Sequence, residues 1–155
     1  MSRDALYEKL IDAVQYGDEE FVIKHVEADA SLLEDCTDWV GDRLLSLCIW
    51  HGRLKLAKSL IKMGADVDAR NRAGGTAMHR AAHKGDIDGL SILIDAGGDM
   101  FAKDKRHCRP QDIGDEGTRT LIKATHEIRI LKREQQELEA ERKRRASLYV
   151  ERLEA

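Results

Sequence analysis

The chain has 155 residues, 42% apolar and 35% charged, with a formal net charge of -3. The apolar share excludes a disordered chain, the length allows one compact domain with an appendage, and the acidic balance argues against a bulk nucleic-acid binder. A single proline, Pro110, and 5% aromatics leave a core of Leu, Ile and Ala, which favours helices over a sandwich or barrel. Three cysteines, Cys36, Cys48 and Cys108, are an odd count without paired spacing, so no disulfide framework is expected. Residues 1–8 (MSRDALYE) lack an apolar signal core and are too acidic for a transit peptide, and no stretch approaches the apolar length of a membrane span. The expected setting is reducing and cytoplasmic, with cytoskeletal or ciliary sites included and the nucleus left open. Charge is graded: residues 1–38 carry three basic and eleven acidic groups, net -8, while residues 39–117 are net +2 and residues 118–155 net +3. The gradient suggests two differently charged contact surfaces, although solvated faces give the same pattern.

Residues 4–36, with Leu10, Ala13, Val14, Gly17, Phe21, Val22 and Val26, half-match the two segments that follow. They read as an acidic N-terminal variant of the same unit, with an irregular exit loop. Those segments are residues 38–70 and 71–103. Gly41, Gly52 and Gly64 recur as Gly74, Gly85 and Gly97 at a fixed interval of 33, and Leu60, Ile61 and Asp66 recur as Leu93, Ile94 and Asp99. Glycine closes a helix cheaply in the left-handed conformation. Gly52 and Gly85 therefore end one short helix and Gly64 and Gly97 a second, with Gly41 and Gly74 in the turn before. Leu54, Leu56, Leu60 and Ile61 answer Ile87, Leu90, Leu93 and Ile94 as one buried helical face. Each unit is predicted as helix, turn, helix and extended loop, which buries its apolar face only when stacked on a neighbour. Residues 104–117 restart with Arg109, Pro110, Gln111, Asp112 and Ile113, placing proline in a first turn, and lose the pattern at Gly114, Asp115, Glu116 and Gly117.

From Thr118 to Ala155 there is no glycine or proline. Thr118 is predicted as the N-cap of a helix of roughly 38 residues, about 57 Å long. Leu121, Ala124, Ile128, Leu131, Gln135, Leu138, Ala146, Tyr149 and Leu153 form a stripe at intervals of three and four, broken at Arg142. The turns through Leu131 are expected to pack on the last repeat, and the remainder to project. The stripe fits a coiled-coil or docking helix with Leu131, Leu138, Tyr149 and Leu153 as contacts. A solvated helix held by ion pairs is the alternative, because Gln135 and Arg142 spoil the seam. Lys143, Arg144 and Arg145 would suit nucleic acid, an acidic protein or an import receptor, but a solvated face paired with Glu139 and Glu141 weighs more. Arg144, Arg145, Ala146 and Ser147 resemble a basophilic-kinase target.

The run Thr76, Ala77, Met78, His79, Arg80, Ala81, Ala82, then Gly85 and Ala96, Gly97, Gly98, Asp99, resembles the ankyrin repeat. Gly64, Ala65, Asp66, Val67, Asp68 and Ala69 fit the same pattern. In that family the first helix opens with Thr-Pro-Leu-His and the second ends near Gly-Ala-Asp. Here Ala77 and Leu44 replace the proline, and Arg43 and Ser46 stand where Thr and His are usual, so the Thr/His brace is expected to be missing from the first copy. The resemblance covers residues 4–117 as two clear repeats flanked by degenerate ones. It implies an all-α ankyrin-repeat solenoid followed by the long charged helix at 118–155. It also implies a non-enzymatic protein–protein interaction adaptor or scaffold that binds through its concave face, with the C-terminal helix docking to a second site. The alternative is a fixed structural subunit of a large assembly, cytoskeletal, ciliary or ribonucleoprotein, anchored by that helix. An inhibitor covering a partner's active site would use the same surface.

Partner contacts in the family come from the loop tips and the exposed end of the first helix. Carried onto this sequence, those positions are Trp39, Val40 and Asp42, then Trp50 and His51. The next repeat supplies Arg72, Ala73 and Gly75, then His83 and Lys84, and the truncated one Lys105, Arg106 and Cys108. Both tryptophans thus fall on the predicted concave face, and Trp and Arg are the commonest binding anchors. The competing reading folds either tryptophan back on a neighbouring repeat or on the acidic cap. His79 and His83 have metal-pair spacing, but His79 is better explained as the brace of the repeat, and His107 with Cys108 lacks a second spaced ligand. Cys48 falls at a small-residue core position, and no nucleophile, base and orienting group converge. Proteins in a hetero-complex are the expected partners, with no metal, cofactor, nucleic acid or membrane.

Overall fold

A computed structural model describes residues 2–155. Its helices are α1 (Arg3–Tyr16), α2 (Glu19–Ala28), α3 (Leu32–Asp35), α4 (Leu44–Trp50), α5 (Leu54–Lys62), α6 (Ala77–Lys84), α7 (Ile87–Asp95), α8 (Pro110–Ile113) and α9 (Glu116–Glu154). The chain divides into a repeat unit ending at Arg119 and a second unit, Thr120–Ala155. Within the repeat unit α1, α4, α6 and α8 pack in succession as an inner layer, and α2, α5 and α7 as an outer one. Leu10 and Val14, Leu44 and Ile49, and Met78 and Ala81 are the buried inner-layer faces; Val22 and Val26, Leu56 and Leu60, and Leu90 and Leu93 meet them from outside. Each buried leucine contributes about 1.5–3 kcal/mol relative to exposure. No helix among the described residues is long and apolar enough to cross a membrane.

The six register glycines all adopt positive φ, from 65° to 99°, so the 33-residue interval is a recurrence of backbone conformation. Side-chain oxygens cap several of the helix starts between them: Ser2 accepts the Ala5 amide, Asp18 that of Phe21 and Asp86 that of Gly89. The tip loops follow the same interval. Asp38 Oδ1 accepts the amides of Val40 and Asp42 at 2.9 and 2.8 Å. Asn71 Oδ1 accepts those of Ala73 and Gly75 at 3.0 and 2.9 Å. Asp104 Oδ1 accepts those of Arg106 and Cys108 at 2.8 and 2.9 Å. Short Asx side chains suit this turn because the oxygen sits within reach of the amides two and four residues on. The tips are also joined to one another: the Arg72 amide donates to the Val40 carbonyl at 3.1 Å, and the Lys105 amide to the Ala73 carbonyl at 3.0 Å.

The third tip is therefore complete, although its repeat is the one the sequence leaves truncated. His107 stands where Gly41 and Gly74 stand in the other tips, and it takes the same left-handed conformation at φ 63°. The brace differs between copies as Arg43 and Ser46 suggest. In the second copy His79 Nδ1 accepts the Thr76 amide at 3.1 Å, and Nε2 lies 3.0 Å from the Cys108 carbonyl oxygen. In the first, α4 has no side-chain cap; Arg43 instead donates to the Arg70 carbonyl at 2.8 Å and pairs with Glu34 at 2.9 Å.

The second unit is a single stretch of helix. α9 begins at Glu116 rather than at Thr118, because Asp115 is the capping residue and accepts the Thr118 amide at 2.8 Å, leaving Thr118 buried in the first turn. At 39 residues α9 is about 58 Å long. Leu131, Leu138, Tyr149 and Leu153 are all exposed, and Arg145 pairs with Glu141 one turn away at 2.7 Å.

The third tip generates two predictions. His107→Gly removes the cost of a side chain in the left-handed region and is expected to stabilise the protein by about 0.5–1 kcal/mol, roughly 1–4 °C in Tm by thermal melt. The Cys108 amide holds the Asp104 carboxyl below its ordinary value against the opposing effect of burial, with smaller help from the Arg106 amide and guanidinium and from His79. A depressed folded pKa contributes stability that is present above the ordinary carboxylate range and lost as pH falls through the folded value. Asp104→Asn, which installs the side chain Asn71 already carries, is expected to keep the turn and make acid unfolding shallower below about pH 4. An unchanged acid limb in urea titrations at falling pH would contradict that role.

Candidate functional site

Residues at equal positions in successive repeats stack, and this builds the concave face. Trp39, Arg72 and Lys105 share one tip row, and Trp50 and His83 share a helix row. Trp39 is 84% exposed at the first tip, with Arg72 Nη1 donating to its carbonyl at 2.7 Å. Trp50, at the end of α4, is only 36% exposed. The His83 ring lies against it at 6.0 Å and 19°, and the Arg80 guanidinium and Lys84 ammonium sit 5.3 and 5.9 Å from its ring centre. Lys84 Nζ also donates to the Trp50 carbonyl at 2.5 Å. Cation–π contacts of this kind are worth about 0.5–2 kcal/mol and hold the indole in one orientation.

Between α1 and these residues lies a groove of about 500 Å³. Ile11 and Gln15 form one wall; Trp39 and Val40 form the rim, with Leu47, Trp50, His51 and Arg80 along the floor. Val40 and His51 are half-buried. Burial first, then the charges of Lys84 and Arg53, push the His51 imidazole below its ordinary pKa, so a neutral ring faces the groove. A larger hollow of about 650 Å³ lies between α5 and α7, but it carries Lys55, Lys58 and Lys62 together with Asp88 and Asp95 and has no aromatic wall.

The structure thus brings Trp39, Val40, Trp50 and His51 around one groove, with Arg72, His83 and Lys84 beside it. Lys105 and Arg106 are exposed on the third tip. Asp42 departs from the open contact expected of it. It is 3% exposed, its carboxylate forms an ion pair with Arg80, and it accepts from Asn71 Nδ2 at 2.9 Å. Its work is to tie the first tip to the second repeat and to aim Arg80 at Trp50. Leu131, Leu138, Tyr149 and Leu153 belong to the other unit.

Sequence reasoning missed Ile11, Gln15 and Arg80. Arg80 lies three and four residues before His83 and Lys84, so helical spacing alone would have found it. It also missed Arg53, which closes α1 by donating to the Val14 and Gln15 carbonyls at 3.2 and 2.7 Å. Burial raises the Cys36 thiol to about 12 and the Cys48 thiol further still, so both are packing groups rather than thiolates at neutral pH. Both ring nitrogens of His79 are occupied by the brace, which takes it out of any pair with His83.

Asp42→Ala leaves the part-buried Arg80 without its ion partner and is expected to cost about 2–3 kcal/mol in urea unfolding. A change below about 0.5 kcal/mol would mean that the pair does not hold the tip.

The family model described as ankyrin repeats (many copies) matches residues 44–94, the segment from α4 to α7. Inversin from Gallus gallus is 32% identical over 109 residues, covering 70% of this chain and 10% of that protein. Inversin from Homo sapiens is 34% identical over 80 residues, 52% of this chain and 8% of that protein. The chain therefore spans about a tenth of the length of the Inversins it matches. Protein phosphatase 1 regulatory subunit 27 from Mus musculus is 30% identical over 112 residues, which is 72% of each chain. A 33-residue glycine and Asx register, paired helices in two layers and these matches place the chain in the ankyrin-repeat family.

Proposed function

We propose that this chain is a non-catalytic adaptor whose concave face grips a segment of one protein and whose α9 offers a second contact. Ankyrin repeats bind proteins, so a protein partner is the coarse function that family membership carries. The observation behind the finer reading is the groove of about 500 Å³, lined by two tryptophans in different states of cover. Trp50 is immobilised beforehand by His83, Arg80 and Lys84, so little side-chain freedom is lost when a partner covers it. Trp39 keeps most of its surface open, and that surface is the apolar area a partner would remove from water. A relative that matches 72% of this chain is named as a regulatory subunit, which supports work inside a hetero-complex. Three free thiols suit a reducing, cytoplasmic compartment.

The second reading, a fixed structural subunit anchored by α9, draws on the exposed Leu131, Leu138, Tyr149 and Leu153. A quantitative pull-down separates the two. Trp39→Ala/Trp50→Ala is expected to lower recovery of the concave-face partner at least tenfold, as loss of an aromatic anchor does. Removal of residues 132–155 should leave that partner and lose only the second. Undiminished recovery with the double variant, together with complete loss on removing 132–155, would replace the adaptor by the anchored subunit.

A further inference from the structure

The charges on the concave face bear on the chemistry of the segment held there, and the argument rests on the concave-face reading above. Arg72 and Lys105 follow Trp39 at the same tip position in successive repeats, and Arg106 beside them keeps 82% of its side chain exposed. Lys84 and His83 are exposed on the helix row below. The carboxylates nearest this strip are largely committed within the fold. Asp38 and Asp104 each accept two backbone amides of their own tips through Oδ1, the other Asp104 oxygen lies 3.7 Å from Arg106 Nε and matches part of that charge, and Asp42 is buried against Arg80 and Asn71. At the opposite end of the groove the sign reverses. Glu8, exposed on α1, shares a helical face with the groove-lining Ile11 and Gln15, within the acidic segment 1–38.

We propose that the concave face takes an extended acidic protein segment in one direction, a large apolar side chain seated between Trp39 and Trp50 and the following carboxylates against Arg72, Lys105 and Arg106. The reverse direction would set those carboxylates beside Glu8 and leave the tip cations unmatched, a like-charge penalty that fixes polarity. Spacing follows from the fold. Packed helices are separated by about 8–10 Å, and an extended chain advances about 3.3 Å per residue. One repeat is thus crossed in about three residues, and acidic residues are required about three and six positions after the apolar anchor. A nucleic acid of comparable charge would lie against the acidic α1 wall and gain nothing from the groove, so a protein segment fits better.

Peptide-display selection on the full-length chain tests this. Wild type is expected to enrich sequences in which an aromatic or leucine precedes acidic residues at about those spacings. Binding of a selected peptide should weaken about tenfold between roughly 0.05 and 0.5 M salt. Arg72→Glu should weaken the same peptide about tenfold. Because Arg72 also donates to the Trp39 carbonyl, Lys105→Glu/Arg106→Glu is the parallel variant, expected to show the same loss with the first tip untouched. Enrichment of neutral or basic peptides, no enrichment, salt-insensitive binding, full affinity in both reversed variants or tighter binding of a single-stranded RNA oligomer would each overturn the proposal. Peptides that need both tryptophans but carry no acids would overturn it alone. Peptides indifferent to Trp39→Ala/Trp50→Ala would overturn the concave-face reading itself.

Discussion

Asp38, Asn71 and Asp104 each turn one side-chain oxygen onto two backbone amides, and each does so 33 residues after the last. A loop tip has no helix or sheet ladder to absorb its amides, so this oxygen, together with two backbone hydrogen bonds across each tip, gives the tip a single shape. Once the tips are shaped alike, the amide of one reaches the carbonyl of the one before, and the repeat spacing is written into backbone hydrogen bonds as well as into helix packing. Rows of equivalent side chains follow from that alignment. Without it Trp39, Arg72 and Lys105 would be three unrelated loop residues.

The helix rows below the tips show the same stacking put to a different use. Trp50 and His83 face each other because they are equivalent residues of adjacent units, and Arg80 and Lys84 close around the indole from the same turn of α6. Asp42 sets this up from underneath by holding Arg80. The two tryptophans therefore have different physical characters. Trp50 is a fixed platform with part of its surface already spent on neighbours, whereas Trp39 is held through its backbone and open at its ring. A groove built from one rigid and one open aromatic group combines low ordering cost with a large area still to bury.

Charge is partitioned by the same logic. Acidic residues of the tips are drawn inward to satisfy amides while their basic neighbours face out, Arg106 staying within 3.7 Å of Asp104 yet largely exposed. The net charge of the chain hides this, because the compensating acids crowd into the N-terminal repeat. α9 is a separate case. Its apolar residues from Ile128 onward are exposed and its Arg145–Glu141 pair lies within one helix.

The repeat length, the helix pairs, their apolar faces and the family were determined by the sequence, because glycine in a left-handed turn and leucine at helical spacing are local requirements that leave a local trace. The Asx positions were written at the same interval, but an aspartate reads equally well as surface charge until its amide partners are known. What only the tertiary structure decided was the use of each polar residue. The burial of Asp42, the pairing of Arg80 with it, the closing of α1 by Arg53 and the cap at Asp115 depend on which atoms approach across repeats or turns. His107 shows the boundary most clearly. Its sequence position lacks the glycine that marks the other tips, yet the tip forms, because the carboxylate of Asp104 and the contact with the preceding tip hold the backbone where a side chain alone would not place it.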